Sequence, residues 1–347
     1  MRKRATIQDI ADQAGVSKTT VSRFLNGKFD FMSEDTKQKI AQIIDETGYR
    51  PSRVANSLKT NRSGLVGFVM SNVMSNQTPR LLASVCDTCS RHGMKVIVVN
   101  SEKNPEKEKA LVYELLDQRV DGLLVVSGYN AEFYQELDTN VLPVILADRI
   151  SPDTDLDAVA INHAESTRRV ILHLLKNGFE QVVIIARSHT NPNNTPALRI
   201  KAAENTCREY FGSDGHCVTK LIPAINTDDG ISSQRKLIID ALGEAYEKSA
   251  ETPTAVFVAE ATIMNSVACG YYRAGMAISD RFTIAGYLEA DMVGMIVPPI
   301  TTIEQPLERM GQLATERLIS RIESDEIPSK EIRETLYLSC RVTLAEP

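Results

Sequence analysis

The segment from Ser17 to Asn26 concentrates short hydrogen-bonding side chains and cations on one side of a predicted helix. Hydroxyl and amide groups can pair with base edges, while lysine and arginine can pair with phosphates. The side chains that this face presents are Lys18, Thr19, Ser22, Arg23 and Asn26. A solvated polar helix face is the alternative interpretation, and the spacing of the neighbouring turn argues against it.

Short amphipathic helices are predicted to position that face. Thr6 is the predicted N-cap of a first helix, with Asp9 near the positive end of the helix dipole. Gly15 then supplies a turn residue that tolerates positive φ, and Ser17 caps the second helix. A third helix is predicted over about 33–48. Two helices joined by an Ala-Gly-Val turn have the spacing of a helix-turn-helix, so the second helix is a candidate recognition helix.

Charge is distributed unevenly along the chain. Residues 1–62 hold twelve Lys and Arg against seven Asp and Glu, a net charge of +5, whereas residues 63–347 hold 27 against 38, a net charge of −11. A small cationic module on a large acidic body suggests a polyanionic partner, with a solvated basic tail as the alternative. Because we find no signal peptide, no long apolar run and no disulfide framework, we expect a cytoplasmic protein that spans no membrane.

From Gly64 onward, short apolar strands alternate with predicted helices in two series. The predicted strands are GLVGFVM, KVIVVN, DGLLVVS and VLPVILAD, followed by QVVIIAR, CVTKLI, TAVFVAE and FTIAGYL. Continuous apolar strands between helices indicate parallel sheets with both faces covered. We therefore expect an N-terminal all-α helix-turn-helix unit followed by an α/β core of two doubly wound parallel-sheet subdomains.

The same patterns predict the domain boundaries. The expected domains are residues 1–50 for the helix-turn-helix unit, 51–61 for a short helix and linker, and 62–347 for the α/β core. The expected N-subdomain comprises about 62–160 plus 294–322, and the expected C-subdomain about 161–293 plus 323–347. The chain is expected to cross between the subdomains near 158–163 and 300–303.

Polar residues follow many of the predicted strands. Ligands of parallel α/β sheets bind at the carboxyl ends of strands, so these positions are candidates for a cleft between the subdomains. They are Asn72, Asn76, Gln77, Asp148, Arg149, Thr195, Arg199, Glu260 and Tyr287. Each residue alone is equally compatible with a cap or a loop, and their common placement is what predicts the ligand site.

The run TIQDIADQAGVSKTTVSRFLNG resembles the head-piece of LacI/GalR-family transcription regulators, and YRPSRVANSLKT resembles their hinge helix. The resemblance extends over the body and ends with PPITTIEQPLERMGQLA. It implies a dimeric, effector-controlled repressor with a periplasmic-binding-protein-like core. One departure is the loop GKFDFM, which is one residue longer than usual, so the phosphate contacts of that loop cannot be transferred.

The resemblance also implies which residues bind double-stranded operator DNA. They are Thr6, Ser17, Lys18, Thr19, Ser22, Arg23, Asn26, Ser52, Ala55, Asn56 and Leu58. A helix of about two turns over 52–58 is too short to be stable alone in water, so we expect it to fold against a partner and DNA. The family uses Leu58 as a wedge in the minor groove, and packing of Leu58 on the protein's own core is the alternative.

By position, the family would contact its small-molecule effector through Asp148, Thr195, Arg199, Glu260 and Leu307. Glu260 stands where the family usually has Asn, and Leu288 where it usually has Asp, so hydroxyl-binding side chains of a neutral sugar site are lost. Arg149 and Arg199 remain, and each could bind a carboxylate with two hydrogen bonds. We therefore expect an acidic sugar derivative, and SKTTVSRFLNGKF resembles the branch that regulates 2-keto-3-deoxygluconate use.

Motifs of catalysis and cofactor binding are not found in the sequence. Cys86 and Cys89 form a lone CDTC, which lacks the further ligands of a zinc site and is interpreted as a pair of buried small side chains. We expect no enzyme activity, no cofactor and no metal. Control by a protein corepressor and a role as a sugar-binding receptor stay open as alternatives. Because no leucine-heptad tail follows the core, a homodimer is favoured over a tetramer.

Overall fold

The computed structural model describes most of the chain, in two compact units. The described residues are 5–30, 32–49, 62–73, 77–126, 130–148, 155–188, 195–223, 228–288, 297–324 and 335–345. The units are Met1–Gly64, called the head, and Leu65–Pro347, called the body. The head is helical, and the body contains the sheets.

Three helices make up the described head: α1 (Ile7–Ala14), α2 (Lys18–Leu25) and α3 (Glu34–Thr47). A hydroxyl side chain before each helix accepts a backbone N–H from its first turn, which satisfies a donor that the helix itself leaves unpaired. The three capping residues are Thr6, Ser17 and Ser33. The predicted helix starts of the head are thereby confirmed.

A small apolar core fixes the direction of α2. Gly15 ends α1 with a φ of 71°, a conformation that glycine adopts without steric cost, so the chain can turn directly into α2. The buried core residues are Ile10, Ala11, Ala14, Val21, Ile40 and Ile43. Because Val21 is the fully buried residue of α2, the opposite side of that helix faces solvent.

The body alternates strands and helices along most of its length. Its described strands are β1 (Leu65–Met70), β2 (Lys95–Asn100), β3 (Gly122–Val126), β4 (Val144–Asp148), β5 (Asp157–Ile161), β6 (Gln181–Arg187), β7 (Cys217–Ile222), β8 (Thr254–Val258), β9 (Phe282–Tyr287), β10 (Thr301–Glu304), β11 (Thr335–Leu338) and β12 (Arg341–Thr343). Its described helices are α4 (Gln77–Arg91), α5 (Pro105–Asp117), α6 (Ala131–Asn140), α7 (His163–Lys176), α8 (Thr195–Phe211), α9 (Asp228–Lys248), α10 (Ala261–Arg273) and α11 (Leu307–Glu323).

The strands form two six-stranded sheets, with helices between most successive strands. The first sheet has the order β11-β5-β4-β3-β1-β2, and the second has the order β12-β10-β9-β8-β6-β7. The neighbouring strands run parallel except β10 and β12, which are antiparallel. Central strands are buried on both faces, as in β8 and β9. The predicted fold class of two doubly wound sheets is confirmed.

Two of the last three strands, β10 and β11, lie in the other sheet from the one that the expected bounds imply, and β12 lies in the second sheet as expected. Residues 294–322 were expected in the first subdomain, but β10 pairs with β9 of the second sheet. Residues 323–347 were expected in the second subdomain, but β11 pairs with β5 of the first. The described chain thus crosses after β5, after β10 and between β11 and β12. The expected bounds placed the third crossing at 322–323, before β11, because β11 is short and partly exposed and gives no apolar run in the sequence.

A buried ion-pair cluster holds α11 against the first sheet. Asp157, the first residue of β5, is 3% exposed and accepts hydrogen bonds from two arginines of α11. Arg317 Nη2 lies 3.1 Å from Asp157 Oδ1, and Arg321 Nε lies 2.6 Å from Asp157 Oδ2. Since α11 directly follows the crossing from β10, these bonds fix where the chain re-enters the first sheet.

A glycine in β9 permits close packing near the carboxyl ends of the second sheet. Gly286 has a φ of 149°, and a Cβ at this position would lie 2.2 Å from the Val258 carbonyl oxygen. No side chain fits that space, so only glycine allows β8 and β9 to approach here. The following residue, Tyr287, is thereby placed at the carboxyl end of β9.

We expect Asp157→Ala to lower the free energy of unfolding by about 3–5 kcal/mol, because it leaves the nearly buried Arg321 without its counter-charge. Urea unfolding of the full chain, followed by circular dichroism, measures this loss. Glu244→Ala is the matched control, since it breaks the exposed pair with Lys220 and should cost less than about 1 kcal/mol. Equal losses for the two variants would contradict the role assigned to Asp157.

Candidate functional site

The polar face of α2 lies open to solvent in the head. Lys18, Thr19 and Arg23 are exposed, and Ser22 is half-buried. Lys18 and Ser22 lie one helical turn apart, as do Thr19 and Arg23, so the four side chains form one surface. No acidic residue occurs in α2. This surface therefore offers cations and hydroxyls without a competing carboxylate of its own helix.

Three of the other predicted DNA-binding residues hold the helix ends in place. Thr6 Oγ1 accepts the Asp9 amide at 3.3 Å, and Ser17 Oγ accepts the Thr20 amide at 3.1 Å. Asn26 Nδ2 donates to the Ser22 carbonyl at 2.7 Å. A nucleic-acid contact by Asn26 without loss of this bond would use its carbonyl oxygen or its other N–H.

Aromatic contacts tie the loop between α2 and α3 to both helices. Phe29, which is 40% exposed, meets the ring of Phe24 edge-on with ring centroids 5.8 Å apart. The Lys37 ammonium lies 4.8 Å above the centre of the Phe29 ring. The long loop GKFDFM thus has its own packing contacts within the described head.

Six predicted site residues lie outside the described residues. They are Ser52, Ala55, Asn56 and Leu58 of the hinge, and Asn76 and Arg149 of the core. The whole expected hinge and linker, 51–61, is likewise outside. The hinge helix, the leucine wedge and a ligand contact by Arg149 stay predictions.

Arg199 is a buried arginine that contacts uncharged groups at the carboxyl end of the second sheet. Arg199 of α8 is 3% exposed, and its Nη1 donates to the carbonyl of Ala259, directly after β8, at 2.7 Å. Its Nη2 donates to Gln305 Oε1, directly after β10, at 3.2 Å. The guanidinium carbon lies 3.4 Å from the centre of the Tyr287 ring. Nε and Nη2 approach His163 Nδ1 at 3.4 and 3.3 Å.

The contact with Arg199 sets the tautomer of His163. Because an arginine N–H only donates, His163 Nδ1 accepts, and the ring proton resides on Nε2. Burial, followed by the charge of Arg199, lowers the pKa of His163 well below its usual value, so the ring is neutral at pH 7. Within the described part of the chain, Nε2 has no hydrogen-bond partner. The cluster therefore contains a buried N–H donor that the protein does not use.

A charged pair lies beside this cluster, at the ends of β6 and β8. Glu260 Oε1 accepts the Arg187 amide at 2.9 Å, and Oε2 accepts Arg187 Nε at 3.1 Å and Nη2 at 2.7 Å. Arg187 Nη2 also donates to Thr262 Oγ1 at 2.8 Å. The carboxylate of Glu260, predicted as an effector contact, is thus engaged by a neighbouring strand.

The remaining predicted effector residues begin or follow elements of the body. Asn72 follows β1 and Asp148 ends β4 with a φ of 69°, so both lie at the carboxyl edge of the first sheet. Gln77 begins α4 and Thr195 begins α8, and both are half-buried. Leu307 begins α11 and is buried in the apolar core. Of the predicted set, Arg199 and Tyr287 are brought into direct contact.

A buried carboxylate positions loops at the carboxyl edge of the first sheet. Glu108 is fully buried in α5, and its Oε2 accepts the hydroxyl of Ser101, directly after β2, at 2.9 Å. Its Oε1 accepts the Tyr134 hydroxyl at 3.0 Å and Asn130 Nδ2 at 3.2 Å. Burial and the nearby Glu108 raise the pKa of Tyr134, which therefore stays a donor.

Sequence reasoning identified Arg199 and Tyr287 but overlooked the groups that surround them. His163 and Gln305 lie at the two predicted crossings, and that location was the available signal, because strand ends of both sheets are close there. Arg187 closes the otherwise apolar run QVVIIAR, and a charged residue at the carboxyl end of a buried strand is a similar signal.

Neither a metal site nor a membrane-spanning helix is found among the described residues. Among the described ranges, no group of three or more His, Cys, Asp and Glu is placed to hold a metal ion. No helix in the described part of the chain combines the length and the apolar character that crossing a bilayer requires.

The interpretation of Cys86 and Cys89 as a pair of buried side chains is half wrong, because Cys86 is exposed while Cys89 is buried. Burial raises the pKa of Cys89 to about 11, so that thiol is protonated.

Comparison with known folds agrees with this division into head and body. Residues 6–52 match the family "Bacterial regulatory proteins, lacI family", and residues 171–343 match a periplasmic binding protein-like domain. The lac repressor dimer bound to operator and the anti-inducer ONPF superposes with a TM-score of 0.79 at 23% identity, covering 99% of this chain and 100% of that chain. The regulator CelR in complex with cellobiose gives 0.63 at 21% identity, covering 98% and 99%. Both likenesses establish the fold.

Sequence relatives establish the family. The HTH-type transcriptional regulator KdgR of Bacillus subtilis is 30% identical over 98% of this chain and 96% of that protein. The transcriptional regulator PtxS of Pseudomonas aeruginosa is 26% identical, covering 95% and 93%, and the repressor PurR of Edwardsiella ictaluri is 30% identical, covering 92% and 91%. The chain therefore belongs to the lacI family of bacterial regulatory proteins and is a DNA-binding transcriptional regulator.

Proposed function

We propose that this regulator is a cytoplasmic homodimeric repressor that binds operator DNA through α2 and the hinge segment 51–61. The support is the exposed surface of Lys18, Thr19, Ser22 and Arg23 together with the net charge of +5 on residues 1–62. A two-fold symmetric dimer would present two such surfaces to the half-sites of a pseudo-palindromic operator. The protein acts by binding, without catalysis or a resident cofactor.

The effector in this proposal is a sugar acid bound at the carboxyl ends of the second sheet. The observation that carries it is the buried guanidinium of Arg199, whose described partners are all uncharged. Removing a charge from water costs several kcal/mol, and neutral acceptors compensate only part of that cost. A carboxylate would supply the missing charge, and His163 Nε2–H would offer a second donor to the same ligand.

The crossings between the sheets provide a route from the effector to the DNA. A ligand that contacts both sheets favours one relative arrangement of them, and it can shift the equilibrium only by its differential affinity for the two arrangements. We propose induction, in which the effector-bound arrangement releases operator DNA. Control by a protein corepressor would replace the small ligand but leave the DNA-binding role unchanged.

For the head, Arg23→Ala should weaken operator binding by about fivefold or more, because it removes a base or phosphate contact of α2 worth about 1–3 kcal/mol. Fluorescence anisotropy measures the effect on an operator that the full chain has selected from random duplexes. Arg91→Ala, at an exposed cation of α4, is the matched control and should bind normally. An Arg23→Ala affinity within twofold of the unaltered protein would remove Arg23 from the interface.

For the body, melting of the full chain is measured with 2-keto-3-deoxygluconate, D-gluconate and D-glucose. A sugar acid at about 100 times its dissociation constant should add about 2.7 kcal/mol of stability and release the operator, whereas glucose should do neither. Arg199→Gln should abolish this response while operator binding persists, because the buried counter-charge is gone. Absence of a response to both acids would favour a protein corepressor.

A further inference from the structure

The pairing of β6 with β8 brings two charged residues side by side at the cleft. Ile185 of β6 is in register with Val258 of β8, so two residues further along each strand Arg187 lies beside Glu260. Both positions are at the carboxyl ends of parallel strands, where ligands of such sheets bind. The preceding residue, Ala259, is the one whose carbonyl binds Arg199. Two guanidinium groups therefore converge on the end of β8.

Glu260 holds the Arg187 side chain in one orientation. Its two carboxylate oxygens bind the backbone amide, Nε and Nη2 of Arg187, and Thr262 Oγ1 accepts a further bond from Nη2. A charge-assisted fork of this kind is geometrically specific as well as strong. The guanidinium is thus oriented before any ligand arrives.

The pair is exposed unequally, and the arginine is the outer member. The Glu260 side chain is 9% exposed, whereas that of Arg187 is 29% exposed. Every hydrogen bond of the Arg187 side chain in the described part of the chain uses Nε or Nη2, which leaves Nη1 with both of its hydrogens available. The second sheet therefore offers unused N–H donors on a partly exposed arginine, and the carboxylate that holds this arginine is more deeply buried.

The charges of the three residues determine which ligands are accepted. Arg199 and Arg187 are cationic and Glu260 is anionic, so together they carry a net charge of +1 that one carboxylate would neutralise. Without Arg187, the buried Glu260 would cancel Arg199 and repel an acidic ligand. The ion pair thus converts a position that would accept sugar hydroxyls into one that favours an acid.

We propose that Arg187 is a specificity-determining residue, which donates through Nη1 to the carboxylate of the effector while Glu260 positions its guanidinium. Arg187, rather than Arg149, then forms with Arg199 the two-arginine site of the acid. This inference rests on the proposed function, because it takes the effector to be a sugar acid.

The test is titration calorimetry of the full chain with 2-keto-3-deoxygluconate and, separately, D-gluconate. Arg187→Met should weaken binding of whichever acid the unaltered protein binds by tenfold or more. Arg208→Met, in α8, is the matched control. It breaks an exposed ion pair with Asp214 and should leave the affinity for the acid unchanged. Operator binding and ligand-free melting of both variants verify that they fold.

The double variant Arg187→Met/Glu260→Met separates direct donation from charge masking. The double variant restores the net charge of +1. If Arg187 acts only by neutralising Glu260, the affinity for the acid should recover. If Arg187 donates directly to the acid, binding should stay at least tenfold weaker. Recovery to the unaltered affinity, or unimpaired binding by Arg187→Met, overturns the inference and leaves the sugar-acid effector standing. If the unaltered protein binds neither acid, the inference and the proposed effector fall together.

Discussion

The buried positive charge of Arg199, which has no carboxylate partner among the described residues, organises the candidate site of this regulator. Arg199 is held by a carbonyl after β8, an amide after β10, the ring at the end of β9 and the imidazole that begins α7. The first three groups are placed by the order of the second sheet, where Gly286 lets β9 approach β8 next to Tyr287, whereas the imidazole follows β5 of the first sheet. Because a charge that is removed from water needs hydrogen-bond partners in the protein, the order of the strands also determines how well this charge is stabilised.

Most of the fold follows from patterns that are local in the sequence. The helices of the head begin after Thr6, Ser17 and Ser33 because a hydroxyl acceptor is a short-range requirement, and the eight apolar runs form eight strands, of which all but the edge strands β2 and β7 are largely buried. The strands β11 and β12 were not predicted, because three or four half-exposed residues do not produce an apolar run. Their sheet membership depends on pairing with distant strands, which periodicity does not encode.

The candidate site was predictable only in part, for a similar reason. Strand-end placement and family resemblance indicated Arg199, Glu260 and Tyr287, but which groups they touch depends on the neighbours of each strand. Glu260 was expected to face the effector, whereas the adjacent β6 supplies Arg187 to engage it. His163 was not predicted as a site residue, because its location at a predicted crossing does not tell which side chain it contacts, and the contact with Arg199 appears only in the folded chain.

The short segment that contains β11 and β12 has a consequence for folding. It supplies an edge strand to each sheet, covering β5 in the first and β10 in the second. The pairing of β11 with β5 joins residues that are far apart in the sequence. Because closing so long a loop costs conformational entropy, we expect this pairing to form late in folding. Until that contact forms, both sheets expose an unpaired strand edge, the kind of surface on which chains aggregate. The two halves of the body therefore complete their sheets in a single shared step, and cleavage before Thr335 would leave both edges unprotected.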